Sequence, residues 1–204
     1  MAIYSVQGQA NEVYRPKLAI KFNAFALFAY TSGIEIGAES AVSRNSTIHF
    51  GGSYLSDFGI FENKDFNGYK LIGEYRIYRL FRSSNDRNTY TSFQLHLKQA
   101  FVEGSTFVDR ANGSYQQLYD IKVVNTSLDF LLANGIILVV TPKFNIDLSV
   151  LYGAKRLSLA SDNLPEDAVF NLFDRNIFDF TLNEVGSQWF PVLRFQLKFN
   201  FVIR

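Results

Sequence analysis

From Lys17 onward the chain alternates. Over residues 17–30 one side of an extended chain carries Leu18, Ile20, Phe22, Ala24, Ala26, Phe28 and Tyr30, and the other carries Lys17, Lys21 and Asn23. Ile34, Ile36 and Ala38 oppose Glu35 and Glu39, and Ile48, Phe50 and Tyr54 oppose His49, Gly51 and Ser53. The same happens with Tyr69, Leu71, Tyr75 and Ile77 against Lys70, Glu74 and Arg76, and with Phe93, Leu95, Leu97 and Phe101 against Gln94, His96 and Lys98. Ile146, Leu148, Val150 and Tyr152 alternate with Asp147, Ser149 and Lys155. The last stretch sets Leu193, Phe195, Leu197, Phe199 and Phe201 against Arg194, Gln196 and Lys198. A period of two is the signature of strands with one face buried in apolar surroundings. Residues 126–140 are more continuously apolar, so periodicity does not fix their facing.

The pattern predicts eight strands, mostly about ten residues long where strands of ordinary globular proteins average five or six. Polar clusters at 43–46, 82–88 and 141–145 predict short turns at one end. Longer loops are expected at 56–67, 103–118 and 160–188, with a short 30–33 connection, at the other. The fold class expected is all-β: an eight-stranded antiparallel up-and-down transmembrane β-barrel.

Alternation does not say which face meets water. Three features favour an outward apolar face. The polar face carries both signs of charge, and residues of that kind can pair inside a narrow closed barrel, whose bore eight strands leave just wide enough to fill. Tyr30, Tyr54, Tyr69, Tyr90 and Tyr152 fall near strand ends, as in the aromatic girdles of membrane barrels. Tilted strands of about ten residues match a bilayer core. In lipid a sheet must close to pair its backbone groups, and a strand reaching the carboxyl end suits closure against the first. The lipid-facing residues of the last strand are then Leu193, Phe195, Leu197, Phe199 and Phe201. The interior charge network is expected to comprise Lys21, Glu35, Glu39, Glu74, Arg76, Lys98, Asp147, Arg194 and Lys198.

Composition narrows the picture further. The 204 residues suit one domain. Twenty basic and 19 acidic residues leave a net charge of +1, which gives no electrostatic case for nucleic acid. Aromatic content is high, with 21 Phe and 11 Tyr. The absence of cysteine excludes disulfides, thiolate catalysis and Cys-based metal sites. Residues 1–8 resemble the tail of a secretory signal, with Val6 and Gly8 ahead of Gln9, which leaves 9–204 as a single domain.

The segment IGAESAVSRNSTIHFGGSYL (Ile36–Leu55) resembles a strand–turn–strand pattern of small outer-membrane β-barrels of Bacteroidota. GEYRIYRLF (Gly73–Phe81) with TYTSFQLHL (Thr89–Leu97) is similar to their next hairpin, and PVLRFQLKFNFVIR to their last strand. The resemblance covers residues 16–158 and 189–204. It implies an OmpA/OmpX-type barrel in the outer membrane of a Gram-negative bacterium, without established enzymatic activity, inserted by the barrel-assembly machinery. Such chains usually end on an aromatic residue; this one ends Val202-Ile203-Arg204, which bears on how that machinery would recognise it.

Candidate chemistry is sparse. His49 and His96 share the polar face and could pair with Glu39 or Glu74, but two histidines without a third ligand make no metal site. No G-x-S-x-G or H-E-x-x-H occurs. No catalytic residue, metal or cofactor is expected. A packed salt-bridge plug is favoured over an ion path in so narrow a bore. Segment 160–188 holds a helix-start pattern at Asn163, Pro165, Glu166 and Asp167, and the apolar Phe170, Leu172, Phe173, Ile177, Phe178 and Phe180. That much apolar surface on an external loop suggests a partner-binding segment. The expected role is a structural or accessory subunit of an envelope complex concerned with secretion, assembly or uptake. Its partners would be outer-membrane lipid and other envelope proteins. The alternatives are an outer-membrane enzyme or narrow solute pore of the same fold, and a soluble lipocalin-like carrier.

Overall fold

The alternating segments form strands in the computed structural model, which describes residues 17–23, 33–56, 64–78, 88–111, 113–161, 163, 169–170 and 185–203. The strands are β1 (Leu18–Asn23), β2 (Gly33–Ala41), β3 (Ser46–Ser56), β4 (Lys64–Tyr78), β5 (Thr89–Arg110), β6 (Tyr115–Thr141), β7 (Phe144–Ser161), β8 (Val169–Phe170) and β9 (Gly186–Val202). They make one antiparallel sheet in the order β4-β3-β2-β1-β9-β7-β6-β5-β8, and a further β4–β5 pairing closes it into a ring. The two-residue β8 pairs only with β5, at Val108 and Asp109. The sequence predicts eight strands; the sheet has nine, because β8 is too short to carry a periodic signal.

Closure gives the sheet an inside, and the inside is polar. Lys21, Glu39, Arg76, Gln94, Asp147, Lys198 and Asn200 are buried, whereas Phe50, Phe93, Leu132, Phe195 and Phe201 are exposed on the outer face. The usual soluble arrangement is therefore inverted. The apolar run in β6 resolves by parity. Leu131, Ala133 and Ile137 point inward and are buried, while Phe130, Leu132, Ile136 and Leu138 point outward.

The interior is not ionic throughout. At the end away from the short turns, Leu55, Phe66, Ala100, Val102, Ile121, Val123, Leu157 and Leu159 occupy inward positions and form an apolar cluster. The interior thus holds an apolar cluster beside the charges that the sequence predicts. Parity puts these residues on the polar face's side, but one strand at a time they are too few to signal a cluster drawn from five strands.

The predicted loop at 103–118 is corrected too. β5 and β6 stay paired from Glu103↔Lys122 to Arg110↔Tyr115, whereas β4 leaves β5 at Gly104 and β7 leaves β6 at Val123. A hairpin thus projects beyond its neighbouring strands. Val108, fully buried, ties it to the apolar cluster, and polar cross-strand pairs add to that: Ser105 Oγ donates to Asp120 at 2.6 Å, and Gln116 Nε2 to Asp109 at 2.9 Å. Its turn is tight, with Ser114 N donating to Arg110 O at 3.0 Å and Gly113 at φ +84°, where glycine pays no Cβ penalty.

Strand also intrudes on the other expected loops. β4 begins at Lys64 and pairs Asn67 with Ser56, β7 runs to Ser161 and β9 starts at Gly186. The turn expected at 43–46 is closed by Val42 N donating to Ser46 O at 3.0 Å. The one at 141–145 is closed by Phe144 N donating to Thr141 Oγ1 at 3.0 Å. Residues 1–8, 82–87 and Tyr30 lie outside the described residues.

Candidate functional site: the interior charge network

Each inward strand position delivers its side chain to a shared space, so charges distant in sequence meet there. Arg76 on β4 is the hub. Its Nε and Nη2 donate to Glu74 at 2.7 and 2.9 Å, and its Nη1 donates to Asp147 on β7 at 2.6 Å. Asp147 also accepts from Tyr90 Oη at 2.6 Å and lies 3.3 Å from Lys21 Nζ. Lys21 pairs with Glu39 at 2.5 Å. Glu39 further accepts from Tyr78 Oη at 2.9 Å and from Thr47 Oγ1. Glu74 accepts from Ser92 and Gln94 at 2.8 and 3.0 Å and faces Lys198 Nζ at 3.4 Å.

Every ionised group here is buried, and such groups cost several kcal/mol each to desolvate unless paired and hydrogen-bonded. The network meets that condition by geometry. Arg76 presents its planar fork to two carboxylates and lies over the Tyr90 ring, with its Cζ 4.2 Å from the centroid. Glycines make room. Tyr90 faces Gly135 across the β5–β6 ladder, and a Cβ there would fall 2.3 Å from the ring. A Cβ at Gly37 would fall 2.2 Å from His49 Nε2.

Of the predicted network, Lys21, Glu39, Glu74, Arg76, Asp147 and Lys198 come together. Glu35 and Arg194 do not join them. Glu35 pairs with Lys70 and accepts from Asn23 Nδ2 at 2.9 Å. Arg194 Nη1 donates to Asp129 at 2.8 Å. Lys98 is half-buried, opposite Lys70 and Ser127 in register. The reason is height: Glu35 is four residues from Glu39 along β2, a distance of about 13 Å.

Tyr90 is a correction. Its place near a strand start suggested an interface girdle, yet it is buried and bonded to Asp147. Parity carries the missing signal, because Tyr90 shares its face with Ser92, Gln94 and His96, as Tyr78 does with Glu74 and Arg76. Asp129 lies within the apolar run of β6, where a lone acid marks an inward position that the periodicity of the run does not fix.

His49 Nδ1 lies 3.2 Å from Glu74, and His96 Nε2 lies 3.0 Å from Gln94 Oε1. Among the described residues no three His, Cys, Asp or Glu side chains gather as a metal-binding group. The outward side chains of the last strand, Leu193, Phe195, Leu197, Phe199 and Phe201, are exposed or half-exposed. Of the expected partner-binding segment, only the backbone of Phe170 is described, in β8. Leu172, Phe173, Ile177, Phe178 and Phe180 lie outside the described residues.

Comparison with protein-family models, with curated proteins and with solved structures gives no match.

Proposed function

We propose that this ring spans an outer membrane as an eight-stranded up-and-down β-barrel, with β8 an appendage, and serves as a structural or accessory subunit of an envelope complex. One observation carries the reading: the closed sheet is apolar outside and ion-paired inside. Between the short turns and the level of Tyr54, Tyr69, Tyr152 and Trp189, no described outward-facing residue is charged. All four of those aromatic residues are exposed. Arg156 stands level with Trp189 in register, and the exposed Glu103–Lys122 pair at 3.4 Å lies beyond the rim. An apolar band with an aromatic rim and charges beyond it is how a membrane barrel meets lipid.

The pairing register supports the same reading. Ala19 pairs with Glu39, and the ladder runs on through His49, Glu74, Gln94, Leu131 and Gly153 to Val192 on β9. Ala19 itself pairs with Val202, so the ladder returns ten residues displaced. A rise of about 3.3 Å per residue and a strand spacing of about 4.8 Å convert that offset into a tilt of roughly 40°. Outer-membrane barrels fall in this range.

The resemblance to small barrels of Bacteroidota points the same way. A structural role fits the enclosure of both histidines, and the packed network argues for a plug over a pore. A partner surface is offered by the projecting hairpin, where Phe107 and Leu118 face each other in register and are both largely exposed beyond the charged rim.

The test is gel mobility. A detergent-folded sample should migrate differently before and after boiling, and the chain should need surfactant to remain monomeric. A purified chain that stays folded and monomeric in plain buffer rules the reading out. The partner role is tested by affinity isolation from native membranes, with the full chain against one shortened over residues 105–120. Unchanged co-purifying proteins would exclude the hairpin as the docking element.

A further inference from the structure

The two sides of the interior are finished differently. Toward β4 the charges meet in the Arg76 network. On the β7–β9 wall, side chains just as buried are left without such partners. Asn145 stands opposite Asn200, and Ser149 opposite Gln196, at inward positions of the ladder. All four are more than nine-tenths buried. Among the described residues, Asn145 Oδ1, Ser149 Oγ, Gln196 Oε1 and both Oδ1 and Nδ2 of Asn200 have no hydrogen-bond partner. Exchanging the oxygen and nitrogen of Asn200 gains nothing, because both are orphaned. Between the two pairs, Asp147 and Lys198 spend their charged ends on Arg76, Tyr90 and Glu74. Higher on the same side, Asp129 Oδ1 is orphaned too. Arg194, which donates to the other oxygen of Asp129, points inward and yet its side chain is 33 % exposed, so room for a small molecule adjoins the guanidinium.

We infer that this wall is a bound-water site, with one station between Asn145 and Asn200, a second between Ser149 and Gln196, and a third beside Asp129 and Arg194. A buried polar atom left dry carries its full desolvation cost. Folded proteins meet such atoms with ordered water, which makes about three hydrogen bonds to groups that otherwise lack them. The mixture of orphans selects the occupant. The oxygens of Asn145, Asn200, Gln196 and Asp129 only accept, Asn200 Nδ2 only donates, and Ser149 Oγ does either. Water donates and accepts at once. The accepting oxygens turn away an anion, while Lys198 and Arg194 on β9 repel a cation. The inference rests on closure of the ring and not on what surrounds it, so it goes beyond the membrane-spanning reading.

Water-selective NOE and ROE spectra of the full chain, folded in detergent micelles, test it. The expected result is a cross-peak from water to the side-chain amide protons of Asn200 and of Gln196, opposite in sign in the two spectra, as long-lived water gives. Ser149→Ala removes the neighbouring hydroxyl as a relay and should retain the Gln196 cross-peak. The same variant separates a wet wall from a dry one by urea unfolding. A hydrated Ser149 loses a hydrogen bond, so its folding equilibrium constant should fall by roughly two- to tenfold. A dry Ser149 is relieved of an orphaned hydroxyl, and the constant should rise. Missing cross-peaks at both amides, or a more stable Ser149→Ala, overturns the inference. The wild-type spectra decide alone if the variant does not fold. Failure of the membrane reading is seen separately, as a chain that stays folded and monomeric without surfactant, and the same spectra can be recorded in that state.

Discussion

Arg76 Nη1 donates a 2.6 Å hydrogen bond to Asp147 Oδ2, tying β4 to β7 across the interior although the two strands are not neighbours in the sheet. Both residues are fully buried. Asp147→Ala leaves Arg76 with Glu74 and takes a carboxylate from Lys21 and Tyr90. The loss of one partner from such a buried pair should cost about 3–5 kcal/mol. Tyr90→Phe removes only a hydroxyl donated to a charged acceptor and should cost about 1.5–3 kcal/mol. Urea unfolding in vesicles, followed by the fluorescence of Trp189, the single tryptophan, measures both. A loss below about 1 kcal/mol for Asp147→Ala would show that the network does not hold the strands together.

Gly135 and Gly73 give a matched pair of substitutions. A Cβ at Gly135 would lie 2.3–2.6 Å from three atoms of the Tyr90 side chain, its hydroxyl oxygen among them, whereas one at Gly73 would meet nothing nearer than Phe50 Cε1 at 3.9 Å. Gly135→Ala should therefore destabilise by about 1–3 kcal/mol through overpacking, and Gly73→Ala by no more than about 0.5 kcal/mol. Tyr90→Leu should relieve the first, because it withdraws the ring. Equal effects at the two glycines would contradict the packing described for Tyr90.

The outer band predicts a response opposite to that of a soluble protein. Phe195 is 61 % exposed, and in water Phe195→Lys would cost no more than about 0.5 kcal/mol. In a bilayer, a lysine near mid-depth on the lipid face should cost about 2–4 kcal/mol, with less at a rim position such as Tyr69→Lys. Unfolding free energies of the two variants in vesicles decide. Indifference at both sites removes lipid from the picture.

The projecting hairpin separates stability from binding. Phe107 and Leu118 are exposed on its outer face, so Phe107→Ser with Leu118→Ser should shift the unfolding midpoint little, by less than about 1 kcal/mol. The same double variant should recover less of any envelope partner from native membranes. Normal recovery alongside normal stability would move the partner surface elsewhere on the chain.

Much of this was legible along the chain because side chains alternate between the two faces of a regular strand. Parity alone placed Lys21, Glu39, Glu74, Arg76, Asp147 and Lys198 on one face and Phe195, Phe199 and Phe201 on the other. It also carried unread information: Tyr78 and Tyr90 share that parity with Arg76 and Ser92. Where both faces are apolar, as over 126–140, parity has nothing to contrast. The hairpin at 103–118 was hidden by its Gly, Ser and Asn content, which in a soluble loop signals irregular chain and here forms a polar ladder.

The sequence by itself determined that this is an alternating all-β chain with one ionic face and one aromatic-rich face. The period of two is a local property and each strand displays it alone. Which face lies inside, which charges meet, and where the ionic interior gives way to an apolar one were decided only by closure. Those outcomes depend on the register of each strand against its neighbours and on the ten-residue offset accumulated around the ring. Arg76 finds Asp147, 71 positions away, because three pairings intervene, and no local pattern encodes their sum.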